Sequence, residues 1–573
     1  MLKFRRPLLV ISSLYLVLNV PTSSCFAFNV RRTLTHPNLS TTYDSKIPIS
    51  IRGGDSSLFS SVESDEKKVP PPQPTLKELY NFCLPCLGLW ISGPLLSLVD
   101  TAAVGLTAKP GMGAIELGAL GPATTFIDGS TYLFAFLNVA TTNLYASALA
   151  RNAGDDEKAK RATDAVVRTA AKIALICGFG IMSLLFWKGN FLLSLYIGEG
   201  SKHIIEPATK YVHIRALSLP TSLVSGVLQA ALLGAKDSVS PLVAVLASTI
   251  TNVLGDSLLV VALKWGTAGA AIATTIAQWA GTAAMVRPTR EKLLTVSTPE
   301  QRAEHKVSSP DFLAFAAPVL TLILGKLAAF GFMTHVAAAL PGEAALASHQ
   351  VSNNIISRFC TITYAHLSHR ISFSNFSSIM PLQIVLSLFF FVSPFLEVIS
   401  QTAQTFLPQF YVETSAAFNN EAQTLAARLL RLGVCVGGVI AFIAAAVPRF
   451  LPFILTNDAM VQASVKPLAL PLFLGSLLTA PVAVSEGILL ARRELKYLAG
   501  IYVLSTILFP FGLLKLKKSG GPVSNIWFGF VLFQLFRATC FTGKLWGRPV
   551  LAKVAASLGM RKNEVVPVTE SNN

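Results

Sequence analysis

From Thr75 onward the chain runs again and again for about 20 residues with scarcely a charge, and nothing else in it constrains the fold so tightly. A helix rises 1.5 Å per residue, so a run of that length crosses a hydrocarbon layer ~30 Å thick with every backbone hydrogen bond made internally. Twelve such windows occur, near 79–105, 117–149, 170–190, 208–233, 240–262, 267–286, 311–338, 380–408, 428–448, 465–491, 498–514 and 523–546. They predict an all-α polytopic membrane protein with twelve transmembrane helices. Composition agrees: charged residues make up 13%, about half the share usual in soluble domains. Seven Cys in 573 residues are too sparse for a disulfide scaffold.

The net charge of +17 raises the question of nucleic acid, and the position of the cations answers it. Loops after even-numbered windows hold Arg151, Lys158, Lys160, Arg161 and Arg168, then Lys236, then Arg287, Arg290 and Lys292, then Arg492, Arg493 and Lys496. Loops after odd-numbered windows are poorer, with Lys515, Lys517 and Lys518 the dense exception. The positive-inside rule therefore puts both ends of the membrane domain on one basic side, and no nucleic-acid partner is needed.

Ahead of the windows, residues 1–25 read as a signal peptide: Lys3, Arg5 and Arg6, an apolar stretch from Leu8 to Val20, then Ser23, Ser24 and Cys25. Residues 26–75 read as a transit peptide and linker, rich in Ser and Thr and poor in acids. The junction Cys25-Phe26-Ala27-Phe28 resembles the Phe-centred cleavage site of bipartite plastid presequences, which implies the plastid envelope. An ordinary secretory signal followed by a disordered tail is the alternative.

Six windows, a polar linker and six more windows suggest duplication. Leu232-Leu233-Gly234-Ala235-Lys236-Asp237, after the fourth, corresponds to Leu489-Leu490-Ala491-Arg492-Arg493-Glu494, after the tenth. This divides the domain into an N-lobe at 76–290, a loop at 291–309, a C-lobe at 310–548 and a tail at 549–573. Such repeats place the substrate path between the lobes.

Ionisable side chains inside apolar windows are costly and so point to function. In the first window Asp100 ends the run Pro94-Leu95-Leu96-Ser97-Leu98-Val99, a turn and a half beyond Pro94, which is expected to kink the helix and open a polar pocket. Asn252 and Asp256 share a helix face at i, i+4, and Asp128 sits in Phe126-Ile127-Asp128-Gly129-Ser130. Helix-end carboxylates reached by water are the alternative for each. In the second half, Lys326, Glu397 and Glu486 admit two readings. One is a buried structural ion pair; the other makes Lys326 a counter-charge for an organic anion, with Phe330 and Phe332 nearby.

Several stretches together resemble the multidrug and toxic compound extrusion (MATE) transporters, and in particular their DinF-like branch with plastid members. They are Ser97-Leu98-Val99-Asp100-Thr101-Ala102-Ala103-Val104-Gly105, Phe136-Leu137-Asn138-Val139-Ala140-Thr141-Thr142-Asn143, Leu232 to Asp237, Asn252-Val253-Leu254-Gly255-Asp256, Gly269-Ala270-Ala271-Ile272-Ala273-Thr274 and Ala347-Ser348-His349-Gln350-Val351. The resemblance implies two six-helix lobes in a V. They rock between outward and inward states to export small organic molecules, such as xenobiotics or aromatic and phenolic metabolites, in exchange for a proton or sodium ion.

The resemblance further implies Asp100 and Asp256 as the coupling carboxylates, with Asn252, Thr274 and, more loosely, Asn143 beside them. Asp128 is grouped with them because three acids in one half, each beside Ser, Thr or Asn, favour ion coupling. The chain is then no enzyme and has no cofactor beyond the transported ion. Its partners are the bilayer, the substrate and H+ or Na+, and it acts as a monomer. A lipid-precursor flippase of the same superfamily and a passive channel are the alternatives.

Other motifs lead elsewhere. No Gly-x-x-x-x-Gly-Lys-Ser/Thr string occurs, which excludes a built-in ATP motor. Cys83-Leu84-Pro85-Cys86 lacks a thioredoxin-type setting, and His366 with His369 offers only two metal ligands. Residues 354–380, with those His and many Ser, interrupt a helix that the family resemblance would continue. The segment is expected to be a retained intron or a lineage-specific loop.

Overall fold

The computed structural model describes residues 69–107, 113–197, 204–294, 309–338, 380–455, 462–463, 465–518 and 524–557. The expected presequence up to residue 68, the interruption up to 379 and the end of the tail lie outside the described residues, while 69–75, expected as the end of the linker, are described. All regular structure among the described residues is helical.

The first half contains α1 (Leu76–Thr107), α2 (Gly113–Tyr132), α3 (Ala135–Arg151), α4 (Asp156–Ile197), α5 (Ile205–Ala216), α6 (Leu219–Gly234), α7 (Val239–Asp256) and α8 (Gly266–Lys292). The second contains α9 (Ser309–Ala338), α10 (Met380–Phe406), α11 (Ala416–Phe450), α12 (Pro452–Leu455), α13 (Ala469–Ala491), α14 (Leu495–Lys518) and α15 (Ser524–Ser557). Among the described residues, eight helical stretches are long and apolar enough to cross a membrane, and the bent pair α5–α6 makes a ninth. Helices α1, α8 and α10, of 32, 27 and 27 residues, also exceed the length a bilayer needs. Each of the twelve windows thus falls on helix.

Two windows depart from a regular helix. The stretch at 117–149 carries a two-residue turn at Leu133–Phe134, between α2 and α3, within a span that runs on from Ala119 to Arg151. The stretch at 208–233 bends by 51° between α5 and α6. At that bend Ser218 Oγ donates to the Arg215 carbonyl at 2.7 Å, and Pro220 stands in the first turn of α6, where a missing N–H leaves no intrahelical bond unmade. A third irregularity follows Asp256, where α7 passes into a π-helical turn, Ser257–Ala262.

The proposed duplication has a structural counterpart. After α6, Asp237 N donates to Leu232 O at 2.9 Å and Lys236 N to Leu233 O at 2.9 Å, with Lys236 at φ 64°. After α13, Glu494 N donates to Leu489 O at 3.0 Å and Arg493 N to Leu490 O at 2.9 Å, with Arg493 at φ 59°. Both are Schellman caps with a cation in the left-handed position usually held by glycine. The same turn, with the same unusual residue type, closes the fourth span of each half.

Within the first half α7 packs on α8 and α1, and α6 on α3 and α4; within the second α13 packs on α10, α11 and α15, and α9 on α14. Gly255 allows α7 to approach α8 closely, since a Cβ there would lie 2.8 Å from that of Ala273. The halves meet through α1 against α10 and α3 against α9 and α10. Phe82 meets Phe406 edge to face across this seam, centroids 5.4 Å apart.

Among the described residues, the hydrogen bonds joining the halves gather toward one end, that of the basic loops. Gln73 Nε2 donates to Glu421 O and Oε2, both at 2.7 Å, and Arg428 Nη1 to Pro74 O at 2.9 Å. Lys236 Nζ reaches Gln409 Oε1 at 2.9 Å, Thr405 Oγ1 the Leu233 carbonyl at 3.3 Å, and Gln401 Nε2 Thr142 Oγ1 at 3.2 Å. The Cys83 Sγ and Thr402 Oγ1 atoms lie 3.1 Å apart. The lobes are therefore latched on their basic side.

Candidate transport site

Among the described residues, one polar grouping stands out in each half of the membrane domain. In the N-lobe, Asn252 and Asp256 lie a turn apart on α7, 0% and 2% exposed. Asn252 Nδ2 donates to Thr274 Oγ1 of α8 at 3.1 Å, and that hydroxyl donates to Ala270 O at 2.8 Å. Asp256 is the last α-helical residue before the π turn, an irregularity frequent at functional sites. It lies about 26 Å along the helix from Val239. Three of the expected residues, Asn252, Asp256 and Thr274, are thus neighbours.

Asp100 and Pro94 belong to α1, which packs against α7; their side chains lie outside the described residues. Asp128 is placed differently. It projects from α2 with 48% of its side chain exposed, and its Oδ1 lies 3.7 Å from Nη2 of Arg215 on α5. Asn143 is drawn into the latch: its Nδ2 donates to Gln404 Oε1 of α10 at 2.8 Å and to Val139 O at 2.8 Å.

In the C-lobe, Lys326, Glu397 and Glu486 converge from α9, α10 and α13. Lys326 Nζ lies 2.9 Å from Glu486 Oε1 and 3.7 Å from Glu397 Oε1. The structure adds two members, Tyr502 and Arg537. Tyr502, on α14, donates its hydroxyl to Glu486 Oε2 and receives a hydrogen bond from Arg537 Nη2. Arg537, on α15, lies 3.5 Å from Glu486 Oε2, with its guanidinium 4.1 Å from the Tyr502 ring centroid.

Arg537 was within reach of sequence reasoning, because a cation in the window 523–546 satisfies the same rule that singled out Lys326. Tyr502 carried no such signal, since a tyrosine is unremarkable in an apolar span.

The cluster has a buried part and an accessible part. Glu486, Arg537 and Tyr502 are 7%, 4% and 0% exposed, whereas the side chains of Lys326 and Glu397 keep 24% and 35% of their surface open. Two cations and two carboxylates cancel. Phe330, one turn from Lys326, packs against Phe390 with centroids 4.9 Å apart; Phe332 is partly buried beside the same cluster.

Tyr132, at the end of α2, is 43% exposed and lies within electrostatic reach of Lys326, Glu397 and Glu486, so this end of α2 approaches the C-lobe charges. Asp128, one turn earlier on the same helix, shares the face of Tyr132.

Comparison with known proteins agrees with this architecture. The family model MatE matches residues 87–258. Protein DETOXIFICATION 47, chloroplastic, of Arabidopsis thaliana is 32% identical over 474 residues, covering 82% of this chain and 78% of its own. DNA damage-inducible protein F of Escherichia coli (strain K12) is 35% identical over 207 residues, 36% of this chain and 42% of its own. A solved structure described as the outward-facing conformation of a multidrug resistance MATE family transporter of the MOP superfamily superposes with a TM-score of 0.63 at 15% identity, over 84% of this chain and 96% of that one. With a relative this similar across most of both chains, and with an all-helical membrane fold in agreement, the chain belongs to the MATE family of multi-pass membrane transporters.

Proposed function

We propose that the protein is a secondary active antiporter that exports small organic molecules from its basic side in exchange for H+ or Na+, with the N-lobe carboxylates as the coupling site. The observation that carries this reading is Asp256. It is a carboxylate 2% exposed inside a membrane span, beside Asn252 and Thr274, at the point where the helix changes its winding. Two carboxylates near each other in a low-dielectric lobe, Asp256 and Asp100 in this reading, cannot both stay charged without a large penalty. A proton, or a sodium ion held by carboxylate, amide and hydroxyl oxygens, neutralises them. That changes the packing of α1 on α7 and biases the lobes toward release.

The lobes' latch on the basic side corresponds, in this reading, to the state open toward the opposite face. The C-lobe cluster and Tyr132 form the substrate wall, with Glu486 as its structural centre and Lys326 and Glu397 as its accessible charges. Its cancelling charges disfavour a lipid-precursor flippase, which needs a strongly cationic cavity. The plastid envelope is the proposed membrane, supported by the presequence composition and by the chloroplastic relative.

The test is efflux of a fluorescent organic substrate from proteoliposomes, with proton and sodium gradients collapsed separately. Asp256→Asn is expected to abolish gradient-driven efflux while leaving insertion intact. Efflux equal to that of the unsubstituted protein would refute the assignment.

A further inference from the structure

Among the described residues three that are not glycine take a positive φ, and all three are cations: Lys236 at 64°, Lys264 at 55° and Arg493 at 59°. Glycine enters that region without a steric penalty, so a long charged side chain held there directs attention to its charge. Lys264 follows the π turn, toward the face opposite the basic loops. Lys236 and Arg493 close the matching caps on the basic side, one in each half. Their surroundings differ.

Lys236 has partners: its Nζ donates to Gln409 Oε1 at 2.9 Å and stands 5.0 Å from the Phe406 ring centroid, and Glu78 lies within electrostatic reach. Arg493 forms no ion pair among the described residues, and the adjacent Glu494 is taken by Lys544 at 3.4 Å. Its guanidinium carbon lies 6.0 Å from the ring centroid of Phe315 on α9, at the outer limit of a cation–π contact. The charge within its reach is another cation, Arg151, the last residue of α3 in the other half. Because α3 packs on α9, the two guanidinium groups are brought to one place at the seam. Burial and the Arg151 charge together push Arg493 down to about 10. Arg492, the preceding residue, adds a third cation, its guanidinium carbon 5.8 Å from the Tyr411 ring centroid.

Like charges drawn together by closure of the basic side oppose that closure unless something negative stands between them. Arg151 is exposed and Arg493 only partly buried, so the pair is open to the water of the basic face. A phosphate group suits it, with up to two charges for two cations and oxygens enough for both guanidinium forks.

We propose that Arg151 and Arg493, one from each half, form an anion site on the basic face that takes a phosphate group, of an anionic phospholipid or of free inorganic phosphate, and is complete only when the lobes are latched. The assignment goes beyond the exporter reading, since holding a phosphate requires neither a coupling ion nor a transported substrate. The bound group acts as a removable clasp: it turns a repulsion between the lobes into a bridge, and its departure favours parting.

The experiment measures the distance between the lobes in the full-length protein, with nitroxides placed through unnatural amino acids at exposed Lys160 and Asn420, one in each half. Three nanodisc preparations are compared at one ionic strength: phosphatidylcholine alone, phosphatidylcholine with phosphatidylglycerol, and phosphatidylcholine with inorganic phosphate in the buffer. Either anion is expected to lower the open-to-latched ratio at least threefold. Glycine suits φ 59°, so Arg493→Gly deletes the guanidinium while easing the backbone. In that variant the ratio should fall in phosphatidylcholine alone, because the repulsion has gone, and neither anion should lower it further. Arg151→Gln should behave in the same way. Lys236→Gly deletes the cation of the other cap and should keep the response of the parent.

A parent ratio that is the same in all three preparations overturns the proposal, as does a full response in Arg493→Gly or a lost response in Lys236→Gly. A response to phosphatidylglycerol alone sustains the site with the lipid as its source, and a response to inorganic phosphate alone sustains it with the free ion. Should Arg493→Gly not yield monodisperse protein, Arg151→Gln decides by the same criterion.

Discussion

Gly487 follows Glu486 on α13, and the C-lobe cluster depends on its missing side chain. A Cβ at this position would lie 2.5 Å from the Ser400 carbonyl oxygen of α10, 2.7 Å from its Oγ and 3.0 Å from its Cα. Ordinary contact begins near 3.4 Å. In Gly487→Ala the helices must therefore separate by about 0.9 Å, a typical overpacking strain of ~1–3 kcal/mol. Glu486 moves with its helix, and a displacement of that size takes its 2.9 Å contact to Lys326 out to as much as about 3.8 Å, beyond hydrogen bonding. Losing that charge-assisted bond adds ~1.5–3 kcal/mol.

The assay is thermal unfolding in detergent with efflux measured in parallel. Gly487→Ala should lower both the unfolding midpoint and the efflux rate. Gly438→Ala is the control, because its Cβ meets only Leu477 Cδ1 at 3.7 Å. Ser400→Gly should not rescue Gly487→Ala, since the nearest contact is with backbone. A Gly487→Ala protein as stable and active as Gly438→Ala would refute the packing argument.

Two further outcomes follow from the basic side. Gln73→Ala with Arg428→Ala removes three hydrogen bonds between the segment before α1 and α11, each worth ~0.5–1.5 kcal/mol net; spin labels across that face should report a larger open population, and an unchanged distance distribution would contradict the latch. Asp237 accepts from Lys292 at 2.6 Å and from Ser240, and although burial pushes its carboxyl upward, these bonds hold it below the usual carboxylate range. Its contribution is thus present above a pH of about 4, the ordinary carboxylate value, and lost as pH falls through the lowered one. The stability gap between the parent protein and Asp237→Asn should be open at pH 7 and close only in strong acid, and a gap that persists there would argue against it.

The helical membrane-spanning character of the windows was legible because an apolar run of about 20 residues has few physical alternatives. The turn at Leu133–Phe134 and the bend after α5 were not. Leu133 and Phe134 are as apolar as their neighbours, while Pro122, the residue that would suggest a break, lies inside α2 without ending it. The repeat was legible from six residues, yet the left-handed Lys236 and Arg493 ran against the preference for glycine. Asn252, Asp256 and Thr274 could be grouped from spacing and resemblance, since an i, i+4 pair and a neighbouring helix are local facts. Asn143 was carried on a loose match, and its place is set by Gln404, 261 residues away. Pairings of that range are decided by packing between lobes, which periodicity does not encode.

The chemistry of the latch bears on how freely the lobes can rock. Eight cross-lobe hydrogen bonds at ~0.5–1.5 kcal/mol each amount to ~4–12 kcal/mol. Reversing a two-state population from 1:99 to 99:1 takes ~5.5 kcal/mol of differential binding, within the means of one ion or substrate only if most of the latch is compensated. Its outer bonds are suited to that: Gln73, Lys236 and Arg428 stand at least partly open and can exchange their partners for water, whereas Thr142, Asn143, Thr402, Gln404 and Thr405 are buried and have to be rehydrated. The apolar Phe82–Phe406 contact has no such substitute and favours staying closed. Phe82 meets Phe406 within the same latch, where Lys236 Nζ also lies 5.0 Å from the Phe406 ring, so opening the basic side has to part the aromatic pair along with the polar bonds.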